Sequence, residues 1–238
     1  MDSLASLEAE RVARRLGMVA INKGASRVTL VDPKQQVVVG EWVRLKCTSG
    51  CDMCNTSWTC PPVANFSMPA VEFFSQYRLG LMLKFTSNRI HVDKPDYIQF
   101  KNRTKAIAAG IEHMAARAGM GRAMAFHSGP CTLCWRPGSK KGSMVYEKCT
   151  LMDHQGYASP YLKIGITPTT PVTLTADMGS EWTSELEKKD CRWPTVARPA
   201  MEAMKVDVFA TLVNIGWNPI VYTSRTQIPS YYSFVVLQ

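Results

Sequence analysis

Features that mark the common functional classes are missing from this sequence. It contains no phosphate-binding loop, no dinucleotide fingerprint and no nucleophile–base set of the kind that hydrolases use. Its apolar runs are too short to cross a membrane, and Glu8, Glu10 and Arg11 interrupt the region where a signal peptide would be apolar. We therefore expect a cytoplasmic protein with no membrane span.

Cysteine, by contrast, is abundant, with eight in 238 residues. Cytoplasmic thiols are kept reduced, so the cysteines of such a protein are metal ligands more often than disulfides. Four of them, Cys47, Cys51, Cys54 and Cys60, fall within fourteen residues, and Pro61 and Pro62 follow directly. Soft thiolate ligands select zinc, copper(I) or iron–sulfur clusters. This stretch therefore predicts a metal site.

The other four cysteines are more widely spaced: Cys131 and Cys134 form a close pair, and Cys149 and Cys191 are remote. A cubane cluster takes four cysteines, commonly two or three from one loop and the last from elsewhere. We therefore predict two [4Fe–4S] clusters, one on each group of four. Zinc is the alternative metal, because C-x-x-C pairs also build all-cysteine zinc sites. Redox-active thiols without a metal are a third interpretation.

The hydrophobic pattern predicts a single α/β domain over residues 1–238, a mixed-sheet sandwich with helices that carries two cysteine-rich metal-binding loops. Residues 135–190, rich in Gly, Pro, Thr and Ser, are predicted to be a long irregular insertion between cluster ligands. Each cysteine loop is expected to begin where a strand ends. The predicted helices are Asp2 or Ser3 to Leu16, Met68 to Gln76, Asn102 to Ala118 and Pro199 to Ile215. The predicted strands are Arg27 to Val31, Val37 to Val39, Trp42 to Leu45, Leu79 to Phe85, Gly121 to Phe126, Tyr161 to Ile166, Val172 to Thr175, Ile220 to Thr223 and the C-terminal SYYSFVVLQ.

Three motifs in a fixed order carry a family resemblance. They are KC-x3-C-x8-CPP with Trp58 two residues before Cys60, then GPC-x2-C, then CRWPTVARPAMEAMKVDV from Cys191 onward. This combination resembles the family of predicted metal-binding, cysteine-rich iron–sulfur proteins known as domain of unknown function 2284. The resemblance runs from about Val43 to Ile215. It implies a cluster-binding protein, of a kind found mostly in anaerobes, with no settled reaction.

The chain departs from that family pattern at several positions. Cys54 stands where the family usually has tyrosine, so Cys54 is either an extra ligand or a bystander. If it does not ligate, Cys47, Cys51 and Cys60 would hold a cluster with one open iron. The family's third cysteine shortly after GPC-x2-C is missing, and Cys149 is the nearest substitute. Ala200 replaces a serine and Lys205 replaces a glycine.

Three other residues are candidates for supporting the metal or holding an anionic substrate. Arg198 and Glu202 lie at the start of the last predicted helix, whose N-terminus favours negative charge. The alternative is that these two form an ion pair at helical spacing that fixes the turn. His127, four residues before Cys131, is either a proton donor or further ligand, or a histidine held at a strand end by hydrogen bonds.

The sequence indicates metal binding more directly than it indicates a function. The first hypothesis is a cytoplasmic iron–sulfur protein that transfers electrons to a partner enzyme or to a substrate. The second is an iron–sulfur enzyme, an oxidoreductase whose open cluster iron binds substrate, and the third is a zinc-stabilised interaction or nucleic-acid module. Two clusters, each carrying about −2, would bring the net charge of +9 to roughly +5. The basic residues are dispersed, so we expect an acidic redox partner rather than nucleic acid. A homo-oligomer, or a place in a larger complex, is also compatible with the apolar C-terminus.

Overall fold

The computed structural model describes residues 2–51, 53–64, 68–87, 95–137, 144–146, 191–220 and 227–238. The predicted strands at Tyr161 to Ile166 and Val172 to Thr175, the end of the strand predicted from Ile220, and Cys149 lie outside these residues. The helices are α1 (Asp2–Lys23), α2 (Pro33–Gln36), α3 (Glu41–Gly50), α4 (Ala70–Ser75), α5 (Pro95–Arg117), a 3₁₀ helix (Glu202–Met204) and α6 (Val208–Asn214). The strands are β1 (Arg27–Val31), β2 (Gly80–Thr86), β3 (Met124–His127), β4 (Trp135–Pro137), β5 (Met144–Tyr146) and β6 (Ser230–Val236).

A four-stranded sheet in the order β1-β2-β6-β3 forms the centre of the fold. All three strand pairs are antiparallel, and Phe234 of β6 stands opposite Met82 on one side and Phe126 on the other. The expected mixed sheet is therefore wrong for the described strands. The C-terminal strand prediction is confirmed, and β6 is a central strand of the sheet. Strands β4 and β5 pair separately as a small antiparallel ribbon.

Helices cover both faces of this sheet. On one face, α1 and α5 contribute small side chains such as Ala13 and Ala108, which pack against Leu81, Leu83 and Val235. On the other face, α4, the 3₁₀ helix and α6 pack against aromatic side chains of β3 and β6. Small residues on α1 and α5 allow those helices to lie close to the sheet. The chain is therefore of mixed α and β structure, with an apolar core on each side of the sheet.

The strand predicted at Trp42 to Leu45 is wrong, because these residues belong to helix α3. Alternation in a strand would put Val43 and Leu45 on the same face. In the structure Val43 is 6% exposed whereas Leu45 is 63% exposed, which is a helical distribution. Gly40 takes extended geometry at the N-cap and Glu41 lies in the first turn, where the helix dipole favours a carboxylate. The predicted strand at Val37 to Val39 is reduced to one bridge between Val39 and Val206.

Two predicted helix ends are also wrong. Helix α1 continues through Gly17. A Cβ atom at this position would lie 3.2 Å from the Val28 side chain, so glycine allows the helix to pack closely against β1. The helix stops instead at Gly24, whose φ of +116° is unfavourable for other residues. The helix predicted from Pro199 to Ile215 is interrupted at Lys205, whose φ is 63°. Helix α6 then restarts with Asp207 as its N-cap, accepting a hydrogen bond from Ala210 N.

Candidate metal centre

The first cysteine loop, defined here as residues 47–62, begins inside helix α3 rather than at a strand end. Cys47 lies on the helix, and Cys51 is the residue that caps it. The loop then folds back on itself: Cys54 N donates to Cys51 O at 3.0 Å and Asn55 N donates to Pro61 O at 2.8 Å. This places Cys54 and Asn55 beside the buried end of the loop.

The four thiols of this loop lie near enough to influence one another. Burial raises the pKa of Cys47 to about 11, and the charges of Glu202 and of the other three thiols add to that effect. Burial also raises the pKa of Cys54, with further contributions from Cys51 and Cys60. The raised pKa values keep Cys47 and Cys54 protonated, and a soft metal that binds them as thiolates would displace those protons.

Cys60 is the most deeply buried thiol of the first loop, at 6% exposure. Burial raises its pKa, while hydrogen bonds from the Ser57 and Thr59 hydroxyls and from the Cys131 backbone N–H oppose that rise. These hydrogen bonds favour the thiolate form, but burial has the larger effect and the pKa of Cys60 is raised overall. The donor from Cys131 also brings the second cysteine group into direct contact with the first.

The second cysteine loop, residues 127–134, leaves the end of β3 as predicted and is held by helix α5. Asn102 Nδ2 donates to Thr132 O at 3.0 Å, and Thr132 Oγ1 donates to Asn102 Oδ1 at 2.7 Å. Lys105 Nζ donates to Pro130 O at 3.2 Å. Gly129, with a φ of +67°, forms the turn that lets the loop come back toward the helix.

Cys191 lies where both loops meet the C-terminal segment. It is buried in a small apolar cluster with Trp58 and Ala197, and Leu133 of the second loop packs against them. Cys134 directly follows Leu133 and is half-buried. Trp193, two residues after Cys191, is by contrast 46% exposed. Three segments of the chain therefore converge at these cysteines.

Arg198 pairs with Glu112 of helix α5, not with Glu202. Its Nε and Nη2 donate to the two carboxylate oxygens at 2.7 and 2.6 Å, and Nη2 also donates to His113 Nε2. Nη1 donates to the carbonyl oxygens of Pro194 and Ala197. Arginine has five N–H donors, and all five are used. The expected ion pair with Glu202 is therefore wrong, and no donor of Arg198 remains for a substrate anion.

Glu202 lies between the two cysteine loops. Its carboxylate accepts from Gly129 N at 3.2 Å in the second loop, and its charge acts on Cys47 in the first. Burial raises the pKa of Glu202, while the N–H of Gly129 and the charges of Lys105 and Lys101 favour the ionised form. Glu202 therefore holds the second loop in place beside Cys47.

His127 is buried and neutral. Burial lowers its pKa to about 3, and the positive charges of Lys105 and Arg198 contribute. Its ring nitrogens lie 3.5 Å from Ser233 Oγ and 3.4 Å from the Val196 carbonyl oxygen. Since a carbonyl only accepts, Nε2 carries the proton and Nδ1 accepts from the hydroxyl. These contacts match the interpretation of a histidine held by hydrogen bonds at the strand end.

The donor set fits a thiophilic metal or an iron–sulfur cluster by its chemistry. The seven cysteines that the structure describes are thiols, and those of the first loop interact with one another. Within the described residues, no group of three or more His, Cys, Asp or Glu side chains already stands at metal-binding distances. Ligation requires the thiols to lose their protons, which couples metal binding to pH.

Comparison with protein-family models decides the relationship that the three motifs suggested. The family described as "Predicted metal-binding protein (DUF2284)" matches residues 31–160 and 178–237. The chain belongs to this family. All eight cysteines lie within the matched ranges, and the unmatched residues 161–177 fall inside the predicted insertion. Comparisons with curated proteins and with solved structures gave no match.

Membership of this family supports metal binding as the general property of the site, since the family is described by it. In the part of the chain that the structure describes, no helix combines the length and apolarity needed to cross a bilayer.

Two residues of the site lie outside the family motifs and were not predicted from the sequence. Lys101 and Lys105, four residues apart on helix α5, are 8% and 3% exposed. Burial lowers the pKa of Lys101 to about 7, and the positive charge of Lys105 lowers it further, whereas Cys131 and Glu202 raise it. Burial likewise lowers the pKa of Lys105. Their spacing could have indicated burial, because Lys101, Lys105 and the buried Ala108 fall on one helix face. Lys101 was missed because the predicted helix began at Asn102.

Proposed function

We propose that this protein binds two [4Fe–4S] clusters and transfers electrons in the cytoplasm, to a partner enzyme or to a substrate. The first cluster is assigned to Cys47, Cys51, Cys54 and Cys60. The second is assigned to Cys131, Cys134, Cys149 and Cys191. Such clusters are held by four cysteine thiolates, and when bound they would supply one-electron redox chemistry.

The surroundings of Cys60 carry this proposal. A buried thiol that receives donors from Ser57, Thr59 and the Cys131 backbone is suited to be a thiolate ligand. Hydrogen bonds to cluster sulfurs are also a main determinant of reduction potential. The same donors would also stabilise thiolates bound to zinc, so the choice of an iron–sulfur cluster over zinc rests on the cysteine spacing and is decided by metal analysis.

Contact between the two loops supports electron transfer within the protein. The Cys131 N–H reaches the Cys60 sulfur, and Cys191 packs against Trp58 of the first loop. Ligands from the two groups are therefore neighbours, and electrons would have a short path between them. The net charge of +9 suits docking to an acidic redox partner.

A second candidate function is suggested by the thiol of Cys54. Its sulfur lies 3.5 Å from the Pro61 carbonyl oxygen, so the S–H donates to an acceptor within the loop. In the family resemblance this position is usually tyrosine, which is not a typical cluster ligand. With Cys47, Cys51 and Cys60 as the only ligands, one iron would be left open to bind a substrate. The protein would then be an iron–sulfur enzyme.

Metal and sulfide analysis of protein purified without oxygen tests both candidates. Two cubanes give roughly eight irons and eight sulfides per chain, and Cys60→Ser should lose about half of them. Replacing Cys54 by the family residue, Cys54→Tyr, should lose a cluster if Cys54 ligates and keep it if that iron site is open. Ser6→Ala, exposed on α1 and outside both cysteine loops, serves as the control and should keep full iron content. A colourless protein containing zinc would overturn the iron–sulfur proposal.

A further inference from the structure

Helix α5 carries two buried lysines, Lys101 and Lys105, whose positive charge is only partly neutralised by the residues that the structure describes. Taking an ammonium group out of water costs several kcal/mol unless an opposite charge or good hydrogen bonds compensate. Lys101 and Lys105 also lie on one helix face, where like charges repel. Burial of this pair therefore costs free energy, which a negative charge close to the lysines would offset.

Within the described residues, each of the two ammonium groups has one contact of defined geometry. Lys105 Nζ donates to the Pro130 carbonyl oxygen at 3.2 Å, and Lys101 Nζ lies 5.1 Å from the centre of the Tyr231 ring. Among the described residues, the acidic groups that act on the pair are one carboxylate, Glu202, and the thiols of Cys131 and Cys60. Glu202 can neutralise one of the two ammonium groups, so within the described part of the chain the remaining acidic groups near the pair are thiols.

We propose that Lys101 and Lys105 are the counter-charges of the metal centre: they neutralise the negative charge that Cys60 and Cys131 acquire when they bind metal as thiolates. This inference rests on the proposed function, because it requires that the cysteine loops bind metal. It gives the lysines a positioning and electrostatic role, without contact to the metal. A cluster bound by four thiolates carries about −2, which a neighbouring buried ammonium stabilises strongly at low local dielectric.

This role predicts effects of opposite sign with and without metal. Lys101→Met keeps the length of the side chain and removes only its charge. In the metal-loaded protein the charge is useful, so we expect the variant to lose iron to a chelator about ten-fold faster, the factor that corresponds to about 1.4 kcal/mol. In the metal-free full-length protein the Lys101 side chain is buried, and burial lowers its pKa to about 7, so its charged form is disfavoured there. There we expect the variant to resist urea at least as well as the wild type.

Lys34→Met is the matched control, since Lys34 is exposed on α2 and the change in net charge is the same. It should alter neither measurement. A second measurement is the midpoint potential, which should become more negative in Lys101→Met because removal of a positive charge disfavours the reduced cluster.

The possible results separate the two proposals. Wild-type protein without bound metal would refute the proposed function. Metal-loaded wild type together with unchanged iron retention in Lys101→Met would refute only the counter-charge role. Loss of metal accompanied by loss of metal-free stability would show that Lys101 supports the fold, which also refutes that role. Faster metal loss with undiminished metal-free stability supports it.

Discussion

All five N–H groups of Arg198 donate hydrogen bonds. Its partner Glu112 also accepts a hydrogen bond from Ala125 N at 2.7 Å. Both side chains of the pair are nearly buried, at 11% and 13% exposure. Removing one member of such a pair leaves a buried charge without compensation, which costs about 3–5 kcal/mol. We therefore expect Arg198→Met to lower the free energy of unfolding by that amount, measured by urea denaturation of protein in one metal state.

A surface pair of the same type provides the comparison. Arg11 lies 3.8 Å from Glu8, with the two side chains 65% and 62% exposed. Exposed pairs of this kind contribute little, so Arg11→Met should change the unfolding free energy by less than about 0.5 kcal/mol. Equal effects of the two substitutions would contradict the structural role assigned to Arg198.

His127 makes the stability of the fold depend on pH. Its pKa is about 3 in the folded protein against 6.5 for an ordinary histidine. Between these values the unfolded chain binds a proton that the folded chain does not, so stability is full above pH 6.5 and falls as the pH drops toward 3. At pH 5 the loss due to this residue should be about 2 kcal/mol relative to pH 7.

Comparison with His127→Gln isolates this contribution, because glutamine does not titrate. We expect urea denaturation of the variant to show a smaller drop between pH 7 and pH 5, by about 2 kcal/mol. Parallel pH profiles for the two proteins would mean that His127 is protonated, or reaches water, in the folded state.

At the scale of elements, Lys205 tests whether the C-terminal helix is continuous or broken. Its φ of 63° is left-handed, a conformation that costs a residue with a side chain roughly 1 kcal/mol more than glycine. Its ion pair with Glu41, at 2.7 Å, involves a carboxylate side chain that is 80% exposed and contributes little.

Lys205→Gly and Lys205→Ala both lose that ion pair, so the difference in stability between them reports the backbone conformation at this position. In the broken helix of the structure, the glycine variant should be the more stable by about 1 kcal/mol. In a continuous helix from Pro199 to Ile215, alanine would be favoured by about the same amount. The order of the two thermal midpoints therefore distinguishes the arrangements.

The elements that the sequence predicted correctly are those whose pattern is local and strong. Strand β2 and strand β6 are apolar runs of strand length, and α5 has a long helical period. Helix α3 was missed because Trp42 and Leu45 are exposed at 48% and 63%, so apolar residues there did not indicate the buried face. The break at Lys205 was missed because lysine rarely takes a positive φ.

The candidate site likewise has features that the sequence indicates and features that it does not. The cysteine spacing is a local pattern, and it indicated a metal site. The family motifs gave the order along the chain of the two cysteine loops and the segment from Cys191. Arg198 and Glu112 are 86 residues apart in sequence, and the distance between Lys105 and the second loop depends on how α5 packs. Charge pairing across such separations has no sequence period, so only the three-dimensional structure reveals it.

At the scale of the whole molecule, backbone hydrogen bonds join the two loops to the segment after Cys191. Ala200 N donates to Thr59 O at 3.1 Å, His127 N to Pro199 O at 3.0 Å, and Met201 N to His127 O at 2.6 Å. These bonds connect the first loop, the end of β3 and the residues just before the 3₁₀ helix. A metal bound to the cysteines would therefore stabilise all three segments together, whereas the β1–β2–β6 part of the sheet is held by its own ladder.

Hydrogen exchange measures this coupling. Metal that binds only the folded loops, at a free concentration 100 times its Kd, should slow exchange through their local opening by about 100-fold. On chelation we expect faster exchange at the amides of Asn55, Cys60, Ala200 and Met201, and unchanged exchange in β1 and β2. Cys60→Ser should show the fast rates before any chelator is added. Faster exchange across the whole sheet would instead mean that metal sets the global stability, because exchange in the strands would then require the same opening as exchange in the loops.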